Sequence, residues 1–280
     1  MTDFNAVTYA LHGSTGVLTL NRPGARNALD LDMRAEIATV IAMAREDAAM
    51  RALVITGAGG AFCAGGDLKS LSGVRRTAME TRERIRRLHQ WFEPLVNLER
   101  PVIAAVDGAA FGAGLNLALA ADFVLCSTRA RFCAVFGRIG LVPDLGGFFL
   151  LPRIVGLQRA KEIVFTARVL KPAEARTLGI VHSIHQPETL MPAALAMASR
   201  FARASTAAIG MAKNILNQSF HLDQRALIEM ESYAQALAIS TDYHHQAVAG
   251  FLAKEPPVFD WDAFSDDQAG SDDQAGEGGL

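Results

Sequence analysis

The chain has 280 residues, 50% of them hydrophobic and 20% charged, enough to bury a sizeable core in one large domain or in a core with a smaller appended unit. A formal net charge of -2 gives no sign of a nucleic-acid surface. The three cysteines, Cys63, Cys126 and Cys133, have no C-x-x-C spacing and offer neither a disulfide framework nor a zinc site. The opening MTDFNAVTYALHG lacks a basic segment followed by an apolar run, and no stretch approaches the roughly 20 apolar residues of a membrane span. The expectation is a soluble cytoplasmic protein without nucleic-acid or membrane partners.

In chain order, GVLTLNRP reads as a buried strand and DLDMRAEIATVIAMARED, from Asp30, as an amphipathic helix with an acidic cap. The strand ALVITGAGG follows. The basic cluster RRTAMETRERIRR, Arg75 to Arg87, is interrupted by Glu80 and Glu83; it reads first as a solvated helix face, and otherwise as a site attracting an anionic ligand. Then come the strand PVIAAVDGAA, a helix after Gly112, the strand DFVLCST and the amphipathic helix QRAKEIVFTAR. Strands alternating with helices imply an α/β core over residues 1–186. Residues 187–259 read as helix alone, packing on the core or making subunit contacts. Residues 260–280, with a tandem SDDQAG repeat, read as a disordered acidic tail.

Two glycine-rich turns follow strands, TGAGGAFCAGGDL and VDGAAFGAGLNLALAAD. Both fail the G-x-G-x-x-G dinucleotide pattern at its third glycine, and the phosphate-loop pattern is absent. Glycine and alanine let backbone N–H groups approach a ligand, so two facing turns would give an oxyanion hole, aided by the positive end of the helix after Gly112. Without G-x-S-x-G, this suits enolate chemistry better than hydrolysis. Between them and the C-terminal helices lies AVFGRIGLVPDLGG, where Asp144 is either a turn or N-cap residue or a proton-transfer group in an apolar pocket. His182, His185, His244 and His245 are poorly spaced for a metal, and none is expected. Asp67, Asp107 and Asp122 read as turn or capping groups.

The segments LNRPGARNALD, AFCAGGDL, PVIAAVDGAAFGAGLNLALAAD, RFCAVFGRIGLVPDLGGFFLLPRIVG and FLAK, in this order and spacing, resemble the crotonase (enoyl-CoA hydratase/isomerase) superfamily from the N-terminus to about Phe259. The resemblance implies a spiral of ββα units, a C-terminal helical trimerisation region, and a homotrimer or dimer of trimers. It implies that an acyl-CoA thioester enolate is stabilised by the N–H groups of Gly66 and Ala113. It also implies coenzyme A contacts from Arg22, Arg26, Ala28, Ala64 and Lys69, with Phe251 and Lys254 reaching the coenzyme from a neighbouring subunit or the C-terminal unit. Coenzyme A is part of the substrate, and no separate cofactor is expected.

The two glutamates of the family's hydratases fall on Asn116 and Phe136, and neither side chain can transfer a proton. Family members that shift double bonds, including isomerases similar to the one in phenylacetate degradation, carry an aspartate in a stretch like GLVPDLGG; dehalogenating members place a nucleophilic one there. With Phe136, Ile139, Leu141, Leu145 and Phe148 near in sequence, burial should raise the Asp144 pKa. The expectation is an isomerase converting 3-enoyl-CoA to 2-enoyl-CoA with Asp144 as its single base. The alternatives are a hydratase, another lyase or hydrolase of acyl-CoA, or a non-catalytic acyl-CoA-binding member. Asn116 would touch substrate or complete a hydrogen-bond network.

Overall fold

A computed structural model describes residues 4–70 and 75–261. The SDDQAG repeats lie outside the described residues. The strands are β1 (Val7–His12), β2 (Thr15–Leu20), β3 (Ala52–Gly57), β4 (Val102–Val106), β5 (Ala109–Phe111), β6 (Phe123–Ser127), β7 (Arg131–Cys133) and β8 (Ser183–His185). The helices are α1 (Leu31–Glu46), α2 (Ala78–Val96), α3 (Ala113–Leu119), α4 (Gly147–Val155), α5 (Leu157–Thr166), α6 (Pro172–Thr177), α7 (Leu190–Arg200), α8 (Thr206–Gln218), α9 (Gln224–Ile239) and α10 (Asp242–Leu252). The main sheet runs β1-β2-β3-β4-β6-β8, parallel except for the β1–β2 hairpin, and β5 pairs with β7 in a small second sheet.

The strands β2, β3, β4 and β6 are buried on both faces, which is why they read as continuous apolar runs. Along β3, Leu53 and Ile55 join the large core containing Met33, Ile37 and Ile41 of α1, whereas Ala52 and Val54 join a second cluster with Leu190, Ala194 and Met197 of α7. β4 divides the same way: Val102, Ala104 and Val106 face one cluster, Ile103 and Ala105 the other. The helical C-terminal region is therefore partly integral to the core, because α7 covers one face of the sheet. Phe259 and Trp261 pack there too, Trp261 stacking on Phe123 with ring centroids 6.2 Å apart. The chain thus remains against the core two residues into the span expected to be tail.

Local signals fix the helix starts. Asp30 caps α1, accepting from Met33 N at 2.9 Å. Thr77 and Glu80 form a capping box on α2, whose first turns are exposed as the charge pattern predicts. α9 and α10 bury no residue within the chain. Among the described residues, no helix is long and apolar enough to cross a membrane.

Candidate active site

The two glycine turns leave the C-terminal ends of β3 and β4, where parallel sheets present ligand sites. They are stitched together by backbone: Cys63 N donates to Ala109 O at 2.8 Å and Phe111 N to Cys63 O at 2.9 Å. A side chain at Gly114 would collide with Cys63 O, and one at Gly65, where φ is +99°, would place its Cβ 2.8 Å from Phe111 O. Only glycine lets these turns close. Leu29 N donates to Gly65 O at 2.8 Å and Asp67 N to Leu29 O at 3.2 Å, bracing the backbone on both sides of Gly66. Among the described residues, the N–H groups of Gly66 and of Ala113 at the start of α3 donate to no protein group. At 7 residues α3 is short, so the donor is the Ala113 N–H itself more than a helix dipole.

Asp144 lies across the amide of Asn116 from α3. Asn116 is 2% exposed and its Nδ2 donates to the Asp144 carbonyl at 2.7 Å; Gly147 N donates to the same oxygen at 2.9 Å. Leu145, fully buried, follows with φ +42° and Gly146 with φ +73°, two successive left-handed residues. Such a conformation at leucine costs on the order of 1–3 kcal/mol and is maintained by its surroundings. The N-cap of α4 is Gly146, with no side-chain cap bond, so the capping reading of Asp144 does not hold. Its Oδ1 is buried without a hydrogen-bond partner.

Burial pushes the Asp144 carboxyl above the usual range, while Arg34, Arg84, a hydrogen bond from its own backbone N–H and His89 pull in the other direction without prevailing. The apolar surroundings differ from those expected. Residues 137–142 run over the surface, leaving Ile139 and Leu141 52% and 50% exposed, and Phe148 at the start of α4 is 63% exposed. Phe136 and Leu145 are buried, and the Phe136 ring packs beside Gly112 immediately before the Ala113 donor.

Arg34 is the residue that sequence reasoning missed. It sits on α1 in step with Ile37, Ile41 and Ala44, all on the buried face, and is 9% exposed. Its Nη2 comes within 3.7 Å of where a Cβ on Gly66 would stand, and its Nε is buried without a partner. A cation on an otherwise apolar helical stripe was the available signal. Burial lowers its pKa, Arg84 lowers it further, and Asp144 and Asp30 oppose. Asn27 was also overlooked: fully buried with φ +55°, it donates to Ala58 O and Ala61 O at 2.9 and 2.7 Å, tying the NRP segment to the first turn.

Of the residues expected at the coenzyme, Arg22 is internally engaged, donating to Ala28 O at 2.6 Å and pairing with Asp30 and Asp67 at 3.0 and 3.1 Å. It braces the two segments that flank Gly66. Arg26 is exposed, and its carbonyl accepts from Ala64 N at 2.9 Å, so Arg26, Ala28 and Ala64 form one rim. Lys69 is exposed beside Asp67, to whose Oδ1 its backbone N–H donates at 3.0 Å. Phe251, 81% exposed, and Lys254 lie on and just beyond α10, which packs against α9.

A cavity of about 1090 Å³ opens between α1 and α2, lined by Leu31, Arg34, Ala38, Ile41, Arg84 and Trp91 among others. Arg34 belongs to both the cavity wall and the surroundings of Gly66. Beneath the first turn, burial pushes the Cys63 thiol up to about 12, keeping it a neutral core group and not a nucleophile.

The chain is similar to known proteins over nearly its whole length. The sequence family described as Enoyl-CoA hydratase/isomerase matches residues 11–262. A 1,2-epoxyphenylacetyl-CoA isomerase of Escherichia coli K12 is 34% identical over 254 residues, covering 89% of this chain and 96% of that protein. A crotonyl-CoA hydratase of Syntrophomonas wolfei is 34% identical over 87% of this chain and 93% of its own. The crystal structure of an enoyl-CoA hydratase/isomerase from Cupriavidus metallidurans CH34 superposes with a TM-score of 0.88 at 40% identity, over 92% of this chain and 97% of that one. Sheet order, paired glycine turns and these likenesses agree: the chain belongs to the enoyl-CoA hydratase/isomerase family, with the crotonase fold.

Proposed function

We propose that this acyl-CoA enzyme shifts a double bond, converting a 3-enoyl-CoA to the conjugated 2-enoyl-CoA, with Asp144 as its single base. The observation that carries the reading is the buried, unpartnered Oδ1 of Asp144, while Asn116 and Phe136 offer no second proton-transfer group. The thioester oxygen sits between the N–H groups of Gly66 and Ala113. Asp144 takes a proton from C2, the resulting dienolate places negative charge on that oxygen, and the same carboxyl returns the proton at C4. A raised pKa suits a group that must both accept and give back a proton. Asn116 positions the base through its carbonyl, and Arg26, Ala28, Ala64 and Lys69 form the rim along which the coenzyme lies.

Phe251 and Lys254 reach the coenzyme in an assembled homotrimer or dimer of trimers. The isomerase name of the Escherichia coli relative accords with this reading, and the hydratase name of the Syntrophomonas wolfei relative marks the competing one. The test is a pair of assays at one chain length, isomerisation of 3-enoyl-CoA and hydration of 2-enoyl-CoA, each repeated with Asp144→Asn. Isomerisation should fall by about a hundredfold or more in the variant, with hydration negligible in both proteins. Strong hydration that survives the substitution would overturn the single-base reading.

A further inference from the structure

We propose that the cavity between α1 and α2 selects an acyl group bearing a carboxylate at its far end, held by Arg34 and Arg84. The inference rests on an acyl-CoA thioester lying between Gly66 and Ala113, and it names the substrate class of that site.

Arg34 is as buried as Lys213, at 9% and 8% exposure, yet the two are satisfied differently. Lys213 Nζ donates to Asp122 at 2.8 Å and to Arg100 O at 3.2 Å. No hydrogen bond or ion pair satisfies the Arg34 guanidinium among the described residues, and its Nε is shut away from solvent without a partner. An unpaired buried guanidinium is costly, and a fold retains one where something else supplies the anion. Arg84, half-buried on α2, faces the same cavity and disfavours the Arg34 charge.

The charge count leaves room for one more anion. Both guanidinium groups act on Asp144, which lies beyond ion-pair distance of each, and the other carboxylate acting on Arg34, Asp30, is already paired with Arg22 at 3.0 Å. The carboxylates on the cavity wall itself, Glu80 and Glu83, are exposed and already engaged, Glu80 in the Thr77 capping box and Glu83 with Arg87 at 3.5 Å. Arg45, Arg75 and Arg76 add positive charge to the wall. The lining also includes Ala38, Ile41, Leu88 and Trp91, which suits a carbon chain more than a phosphate. A guanidinium fork matches a carboxylate with two parallel N–H donors.

The test is calorimetric binding of unreactive saturated thioesters: glutaryl-CoA against pentanoyl-CoA and adipyl-CoA against hexanoyl-CoA. Each pair shares carbon number and coenzyme, and no bond is made or broken, so the outcome is independent of whether the enzyme isomerises or hydrates. Wild type should prefer the carboxylate member by about tenfold or more. That preference should fall to within about threefold in Arg34→Gln and in Arg84→Gln and persist in part in Arg34→Lys. If Arg34→Gln gives no cooperative melt, Arg84→Gln at its half-exposed position carries the comparison. Equal or tighter binding of the neutral chains by wild type would overturn the proposal, as would a preference surviving the double variant. Equal weakening of free coenzyme A and of every thioester in Arg84→Gln would also overturn it, assigning the cations to the coenzyme phosphates. Failure of all thioesters to bind wild type would instead remove the acyl-CoA site itself.

Discussion

At Asp144, burial raises the carboxyl pKa while Arg34, Arg84 and His89 lower it, and burial prevails. The native state therefore holds this proton at pH values where the unfolded chain has lost it. Stability from this group is fully present below its ordinary value of 3.8 and is lost as pH rises through the higher folded value. Asp144→Asn should accordingly melt at a higher temperature than wild type at neutral pH, the two melting points converging as the buffer is taken toward pH ~4. Over the same range, kcat/KM of wild type should lose activity on the acid side at a pH above that of an ordinary carboxylate; identical melting curves at all pH values would contradict the shift. The sequence made Asp144 visible because a lone carboxylate stood in an apolar run between Pro143 and Leu145. It hid Arg34 because that arginine lies in the middle of a helix, where charge is ordinarily solvated, and only its phase with Ile37 and Ile41 betrays it. Ile139, Leu141 and Phe148 misled for the converse reason: nearness in sequence to a buried group does not bury a residue in a surface loop, as with Ile139 and Leu141, or on the outer face of a helix, as with Phe148 on α4.

Among the elements, the paired turns after β3 and β4 depend on backbone contact, and α3 carries that dependence. Gly114→Ala puts a methyl group onto Cys63 O, which forces the turns apart. The expected cost is about 1–3 kcal/mol or more in stability, with a larger proportional loss of turnover because the Ala113 donor moves with α3. Thermal melting and kcat measured on one preparation check it; an unchanged kcat would mean that Ala113 is not a donor to the substrate. β2, β3, β4 and β6 were readable because burial on both faces makes them continuous apolar runs. β5, β7 and β8 have 3 residues each, too few to carry a period, and β1 (VTYALH) is buried only at its first residue. α4 escaped notice because Pro152 interrupts its pattern, although its start at Gly146 and Gly147 defines the end of the Asp144 loop.

For the whole molecule, the distribution of apolar surface is uneven. Phe220, Tyr233, Leu237, Phe251 and Leu252 on α9, α10 and the loop before them are each more than 60% exposed in the single chain. Large apolar side chains exposed in such number on neighbouring elements point to an interface. Sedimentation velocity should give a particle of three chains or of six, and Leu237→Glu with Leu252→Glu should shift it to smaller species and raise KM for the thioester; a monomeric wild type would refute the assembly. The feature with the widest consequence is the amide of Asn116, three residues along α3 from Ala113 and bonded to the Asp144 carbonyl. Through it, in the proposed mechanism, the donor that would face the negative charge and the base that would shuttle the proton are tied to one short rod. The spacing follows α3, but the base also feels α2, whose Arg84 and His89 act on the Asp144 carboxyl, so a change in the acyl-chain wall on that helix also retunes the proton.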